Sequence, residues 1–243
     1  MNNYKVLISY DGTNFSGWQN QLKEKTVQGE IELALSKIFK NNSMSIIGSG
    51  RTDSGVHALN QVANFSVNTS MTELQIKRAI NSYLNNDIYI ISCTIVDSKF
   101  HSRFSAKKRE YVYHISSIYS PFKRKYKWYL KFDIDMDKLI DCSKLLTGKH
   151  DFSQFCKTSS RKKNNECNVS VSKWNFDNEQ ISYNIVSDRF LHHMVRLLVG
   201  TMIEVAKDRI IVDDFKKMIE NLPCNISPVR APSKGLFLVN VFY

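Results

Sequence analysis

The chain has 243 residues, 42% of them hydrophobic and 12% aromatic. That suffices for one large domain or two of roughly 100–130 residues each, and it excludes a disordered chain. Lys and Arg number 34 against 23 Asp and Glu, a formal net charge of +11 that favours a polyanionic partner.

Residues 4–10 open the chain with alternation, Tyr4, Val6, Ile8 and Tyr10 falling on one face of a strand. Val27, Ile31, Ala34, Leu35 and Ile38 have helical spacing over 27–39, with Thr26 as N-cap. Strands are expected at about 43–47 and 60–67, a helix over about 72–84, and an apolar strand over about 88–96. The order β-α-β-β-α-β is the split arrangement of ferredoxin-like domains. The second part repeats it, with a strand at about 109–116, a helix at 136–147 and strands at 168–176 and 180–186. A long helix at 189–206, an extra helix at 212–221 and a closing strand at 236–242 complete it. The fold class expected is α+β, two tandem ferredoxin-like halves with antiparallel sheets and a central basic cleft. The halves are residues 1–102 and 103–243.

Between the second and third strands lies IIGSGRTDSGVHALNQVANF, residues 46–65. Two phosphate motifs fail there. Gly48 and Gly50 begin a G-x-G-x-x-G, but Asp53 stands where the third glycine belongs. Gly50 and Gly55 have P-loop spacing, but Val56-His57 follows in place of Lys-Ser, and a strand follows in place of a helix. What remains is a rigid turn projecting an acid, Asp53, and a base, Arg51; its bland reading is a hairpin loop with polar caps.

Positive charge gathers at Arg103, Lys107–Arg109, Lys123, Arg124, Lys125, Lys127 and Lys131, and again at Lys157 and Arg161–Lys163. Phe100, Phe104, Tyr111, Tyr113, Phe122, Tyr126 and Trp128 are interleaved with the first group, and aromatic faces beside cations suit unpaired bases. Five cysteines with no C-x-x-C argue for a reducing cytoplasm, without a disulfide framework or zinc site. His192-His193 is the only histidine pair, and as adjacent helix positions the two do not face one point. No N-terminal signal region occurs, and no apolar stretch approaches the ~18 residues of a membrane span.

The helix at 189–206 is apolar nearly all round, so it is expected to be buried. Arg196 on it either reaches out of a polar slot or meets an acid: Asp188 or Glu204 nearby, or a carboxylate of the other half such as Asp53. In REYVYH, alternation puts Arg109, Tyr111 and Tyr113 on one face; Tyr111 is either sheet packing or a base-stacking side chain.

GRTDSGVHA resembles the signature of the tRNA pseudouridine synthase A family, whose catalytic aspartate falls on Asp53. YDGTNFSGWQ at 10–19 is similar to the family's N-terminal strand and loop. FHSRFSA followed by REYVY resembles the segment of its base-stacking tyrosine, here Tyr111. FLHHMVRLLVG at 190–200 resembles the helix of its active-site arginine, here Arg196, and GLFLVNVFY its closing strand. The chain departs from the pattern at Asn20, at Asn85 and in the stretch before the strand at 168.

The resemblance implies an isomerase that converts uridine to pseudouridine at tRNA positions 38, 39 and 40, in the anticodon stem-loop, after flipping the base. It implies Asp53 as nucleophile, Arg196 as the cation that holds it ionised, and Tyr111 stacked on the flipped uracil. Arg51 fills the vacated stack, and Gly50, Thr52, Gly55 and His57 stand with Lys123, Arg124 and Lys125 as RNA-binding residues. It implies a homodimer that contacts one tRNA through both copies, with no cofactor and no metal. The competitors are a paralogue acting on ribosomal RNA, a non-catalytic RNA-binding paralogue and a carboxylate-dependent hydrolase. The last is disfavoured because glycosidases usually need two carboxylates, and no second acid stands beside Asp53 in the sequence.

Overall fold

A computed structural model describes residues 1–177 and 180–243. In chain order the strands and helices are β1 Asn2–Tyr10, α1 Val27–Phe39, β2 Ile47–Gly48, β3 His57–Val67, α2 Glu73–Tyr83, β4 Ile88–Val96, β5 Lys108–Ser116, β6 Trp128–Tyr129, α3 Met136–Lys144, β7 Gly148–Asp151, β8 Glu166–Asp177, β9 Gln180–Ser187, α4 Met194–Ala206, α5 Val212–Ile219 and β10 Leu236–Phe242. They gather into two compact units. One is Met1–Lys107 with Phe237–Tyr243, and the other is Lys108–Leu236. The protein is thus mixed α and β, with antiparallel pairing dominant.

In the first unit β1 lies between β4 and β3, antiparallel to both, and β2 pairs with the far end of β3. Tyr4, Val6, Ile8 and Tyr10 are all buried, as the alternation of β1 requires. Each fully buried aliphatic side chain of this kind stabilises by about 1.5–3 kcal/mol. Thr26 caps α1 by accepting the Gly29 N–H at 3.2 Å, and Val27, Ile31, Ala34 and Leu35 form its buried face. Thr72 and Gln75 close a capping box on α2. Asn85 forms an Asx turn, its Oδ1 accepting from Asp87 N at 3.0 Å, and that turn leads into β4.

The closing strand β10 pairs in parallel with β3 (Phe237 opposite His57, Leu238 opposite Ala58). Asn60 Nδ2 donates to Val239 O at 2.9 Å and Tyr243 Oη to Ser102 O at 2.8 Å, so the C-terminus is tied into the first unit.

In the second unit the sheet runs β5-β9-β8-β7, all antiparallel, and β6 adds to β5 in parallel. Helix α4 is buried almost all round, including Leu198, Val199, Met202 and Ile203. Gly200 admits the backbone of 229–231: a Cβ there would lie 2.2 Å from Val229 O.

Three expectations are corrected. The helix expected from 189 begins at Met194, because His193 takes a left-handed conformation (φ 69°) and Met194 N turns back to Leu191 O. His192 and His193 therefore precede the helix, and their rings pack at 4.2 Å. The strand expected at 43–47 is only Ile47–Gly48, and the helix expected to 147 ends at Lys144. The short strands β6 and β7 carry no apolar alternation and were not foreseen from periodicity.

Candidate active site

Asp53 sits in the connection between β2 and β3, half-buried, between exposed Arg51 and Ser54 and buried Thr52 and Val56. The turn is clamped from within the first unit. Trp18 N donates to Thr52 O at 3.1 Å, Gly55 N to Phe15 O at 3.3 Å, and Val56 N to Asp53 O at 3.1 Å. The Thr52 and Tyr10 hydroxyls share a bond of 2.8 Å. Burial drives the Tyr10 hydroxyl well above its ordinary pKa, so it remains a neutral partner. On the β2 side Ser49 Oγ donates to Gln61 Oε1 at 2.7 Å, and Gln61 Nε2 donates to Gly50 O at 3.0 Å. Apart from the Val56 N to Asp53 O bond inside the turn, the backbone groups named here are held by residues of the loop after β1 or of β3, so the carboxylate is presented on a fixed base.

The glycines divide by what they do. Gly55 has φ 74°, a left-handed turn that favours glycine. Gly12 lies against the turn so closely that a Cβ would stand 2.0 Å from Val56 O. A Cβ on Gly50 would meet nothing within 4 Å. Gly12→Ala is therefore expected to destabilise the fold by about 1–3 kcal/mol through overpacking, whereas Gly50→Ala stays within about 0.5 kcal/mol. Chemical denaturation of both variants checks this, and equal losses would contradict the packing described.

The expected RNA-facing residues of this segment separate likewise. Arg51 is exposed and Gly50 opens to space. His57 is buried, only 1% exposed, its ring stacked on Phe237 at 4.5 Å and its Nδ1 accepting the Gly12 N–H at 3.1 Å. Thr52 is likewise buried. Both residues are tied to the turn, Thr52 through the Tyr10 hydroxyl and His57 through the Gly12 N–H.

In the second unit Tyr111 stands on β5 opposite Ile185, 8% exposed, with its ring edge-on to Phe190 at 5.1 Å and 87°. Its neighbour on the same face, Tyr113, is fully buried and donates to Pro232 O at 2.7 Å. Arg196, on the first turns of α4, is half-buried; its Nε donates to Ala231 O at 2.9 Å, and Ala231 N returns a bond to Arg196 O at 2.9 Å. The nearby acids of the bland reading are engaged with other groups. Glu204 takes Lys207 at 3.1 Å and Arg209 at 3.0 Å; burial would raise its pKa, but these cations outweigh burial and hold it below the ordinary range. Asp188 Oδ1 accepts the Asn168 and Arg189 amides at 2.8 and 2.7 Å.

A thiol nucleophile has poor support. All five cysteines are unpaired, and burial pushes Cys93, Cys142 and Cys167 up to about 12.

A family model for tRNA pseudouridine synthase matches residues 6–105 and 142–243. The chain belongs to the tRNA pseudouridine synthase family. A tRNA pseudouridine synthase A of Limosilactobacillus reuteri (strain DSM 20016) is 36% identical over 250 residues, covering 100% of this chain and 97% of its own. That of Bacillus licheniformis is 37% identical over 242 residues, with 98% of each chain covered. A tRNA pseudouridine synthase A 2 of Clostridium tetani is 36% identical over 248 residues, 99% of this chain and 98% of its own. Asp53, Tyr10, Gly12 and Arg196 lie inside the segments matched to the tRNA pseudouridine synthase model, whereas Tyr111 and Lys123–Lys125 lie in 106–141, between them. Enzymes of this family isomerise uridine to pseudouridine. No atoms are gained or lost in that reaction, so a positioned acid–base set suffices for its balance.

Sequence reasoning missed the supports of the turn. Tyr10, Gly12, Trp18 and Gln61 act on it, three of them from 10–19, and their contacts span long separations that periodicity does not reveal. Their signal was the density of Gly, Tyr and Trp in YDGTNFSGWQ. It also missed the 229–232 segment that holds Arg196, for which APSKG offered only a turn signal.

Proposed function

We propose that the protein converts uridine to pseudouridine in tRNA at positions 38, 39 and 40 of the anticodon stem-loop, with Asp53 as the nucleophile. The observation that carries this reading is a half-exposed carboxylate on a turn clamped by buried residues, in a chain matched to the tRNA pseudouridine synthase family on both sides of its middle. The reaction breaks the N1–C1′ bond, turns the base and forms C5–C1′. N1 gains a proton and C5 loses one. A carboxylate beside the sugar-base junction supplies the nucleophile, Arg196 the cation that serves it, and Tyr111 the face for the flipped uracil and an acceptor for the C5 proton. Arg51, exposed beside Asp53, fills the place the base leaves.

The reading takes the two units as ferredoxin-like halves that hold RNA with basic side chains. The strand order β4-β1-β3, with β2 on β3, and the order β5-β9-β8 support it. It takes the active species as a homodimer in the cytoplasm. Among the described residues no helix is long and apolar enough to cross a membrane.

Mapping pseudouridine in RNA from cells lacking this protein tests the substrate. Loss at tRNA positions 38–40 with ribosomal RNA unchanged is the expected result; loss confined to ribosomal RNA would replace the tRNA reading with the ribosomal one.

Lys123, Arg124 and Lys125 are all exposed on the loop after β5. Neutralising them together should lower the slope of log affinity for tRNA against log salt by about 2–3, since each phosphate contact contributes roughly 0.7–0.9. An unchanged slope would place the cluster away from RNA.

A further inference from the structure

The loop joining β5 to β6 folds back on itself. Lys123 N bonds Ser120 O at 3.2 Å, Tyr126 N and Lys127 N bond Lys123 O at 3.0 and 3.1 Å, and Leu130 N closes the loop on Ser116 O at 3.0 Å. It borders an open concavity of about 240 Å³ with Pro232 and Lys234 on the other side. That is below the roughly 300–1,000 Å³ of drug-sized sites and suits one nucleotide. Four cations line it, Lys123, Arg124, Lys127 and Lys234, and no carboxylate does. Among the described residues none of the four is paired with an acid; Lys127 reaches only the amide oxygen of Gln180, at 2.9 Å. Burial, and then the Lys123 charge, lowers the pKa of Lys127, so its ammonium stands in a site that favours an anion beside it. Tyr119 and Tyr129, edge-on at 5.4 Å, add an aromatic wall.

The wall residue Pro232 connects this pocket to the proposed chemistry. Its carbonyl takes the Tyr113 hydroxyl, and the preceding Ala231 is bonded to Arg196 through both backbone groups. One two-residue strut thus carries Arg196 on one side and the pocket on the other.

We propose that this pocket is an RNA-binding subsite that takes one nucleotide of the substrate strand, its phosphate among Lys123, Arg124, Lys127 and Lys234 and its base against Tyr119 and Tyr129. The proposal rests on the pseudouridine synthase reading for the identity of the RNA; the lining residues from Ser116 to Tyr129 fall between the family-matched segments, whereas Pro232 and Lys234 fall within the second. Four cations gathered round a concavity repel one another, and a phosphodiester offsets that while excess charge for solubility would be spread. The aromatic wall favours a nucleotide over a bare anion.

The test uses the full chain with Lys127 and Lys234 changed together to Ala, and to Arg as the charge-preserving control. Binding of unmodified tRNA is measured across a salt series, and pseudouridine formation across tRNA concentrations. The Ala pair is expected to raise KM about tenfold, with the change in KM rather than kcat, and to lower the salt slope by about 1.4–1.8. The Arg pair should restore most of both. An unchanged slope and KM in a folded Ala variant overturns the subsite. Titration with inorganic phosphate distinguishes the source of the anion: phosphate binding that the Ala pair removes, beside an unchanged tRNA slope, assigns the pocket to free phosphate and overturns the RNA proposal. If the wild-type protein makes no pseudouridine, the functional reading fails, while the salt slope still decides the pocket.

Discussion

Asp53→Asn is expected to abolish pseudouridine formation while leaving tRNA affinity within a few-fold of wild type. The amide matches the carboxylate in shape but has no anionic oxygen to attack or to steady the sugar. The turn should survive the change, because it is held through the Asp53 carbonyl, which accepts Val56 N, and through the backbone and hydroxyl of Thr52. Affinity should survive because phosphate contacts supply most of it. Single-turnover assays with the variant in excess, beside equilibrium binding, measure both. Turnover at even a few per cent of wild type would remove Asp53 from the nucleophile's role, and a collapse of binding would show that the carboxylate organises the RNA site instead.

Arg196→Ala is expected to lower kcat by about 10²–10³, the usual loss when one charged electrostatic partner of a reacting group is removed. It should also cost about 1–3 kcal/mol of stability, since it deletes the bond from Nε to Ala231 O. Arg196→Lys keeps the charge but not that bond, and should recover part of the activity and little of the stability. In the proposed mechanism Arg196 serves Asp53. Combining Arg196→Ala with Asp53→Ala should then be non-additive in unfolding free energy by about 0.5–3 kcal/mol. Simple addition of the two losses would confine Arg196 to holding the 229–232 segment or to meeting a phosphate.

Much of the fold was legible because its signals are local. The burial of Tyr4, Val6, Ile8 and Tyr10 follows from alternation, and α1 and α2 start where Thr26 and Thr72 cap them. The start of α4 was misread because Leu191 continues the apolar stripe, while the left-handed backbone of His193 that ends it leaves no mark in a residue type. Placement of the last strand beside β3 depends on long-range pairing, which alternation within β10 cannot specify.

The candidate site was legible in part for the same reason. Asp53 stood out as an acid in a glycine-rich turn that fitted no phosphate motif. The partition of that turn into supports and exposed residues was hidden. His57 and Thr52 are buried, and their partners Phe237, Gly12 and Tyr10 lie far off in the chain. Lys127 and Lys234 gained meaning only when the loop after β5 folded against Pro232.

The most direct measurement is incubation of the purified protein with an unmodified tRNA transcript, followed by mapping of pseudouridine at single-nucleotide resolution. The account predicts pseudouridine at positions 38, 39 or 40 without added cofactor, and none with Asp53→Asn. A transcript that stays unmodified with the wild-type protein, or one modified equally by the Asp53→Asn variant, would contradict it.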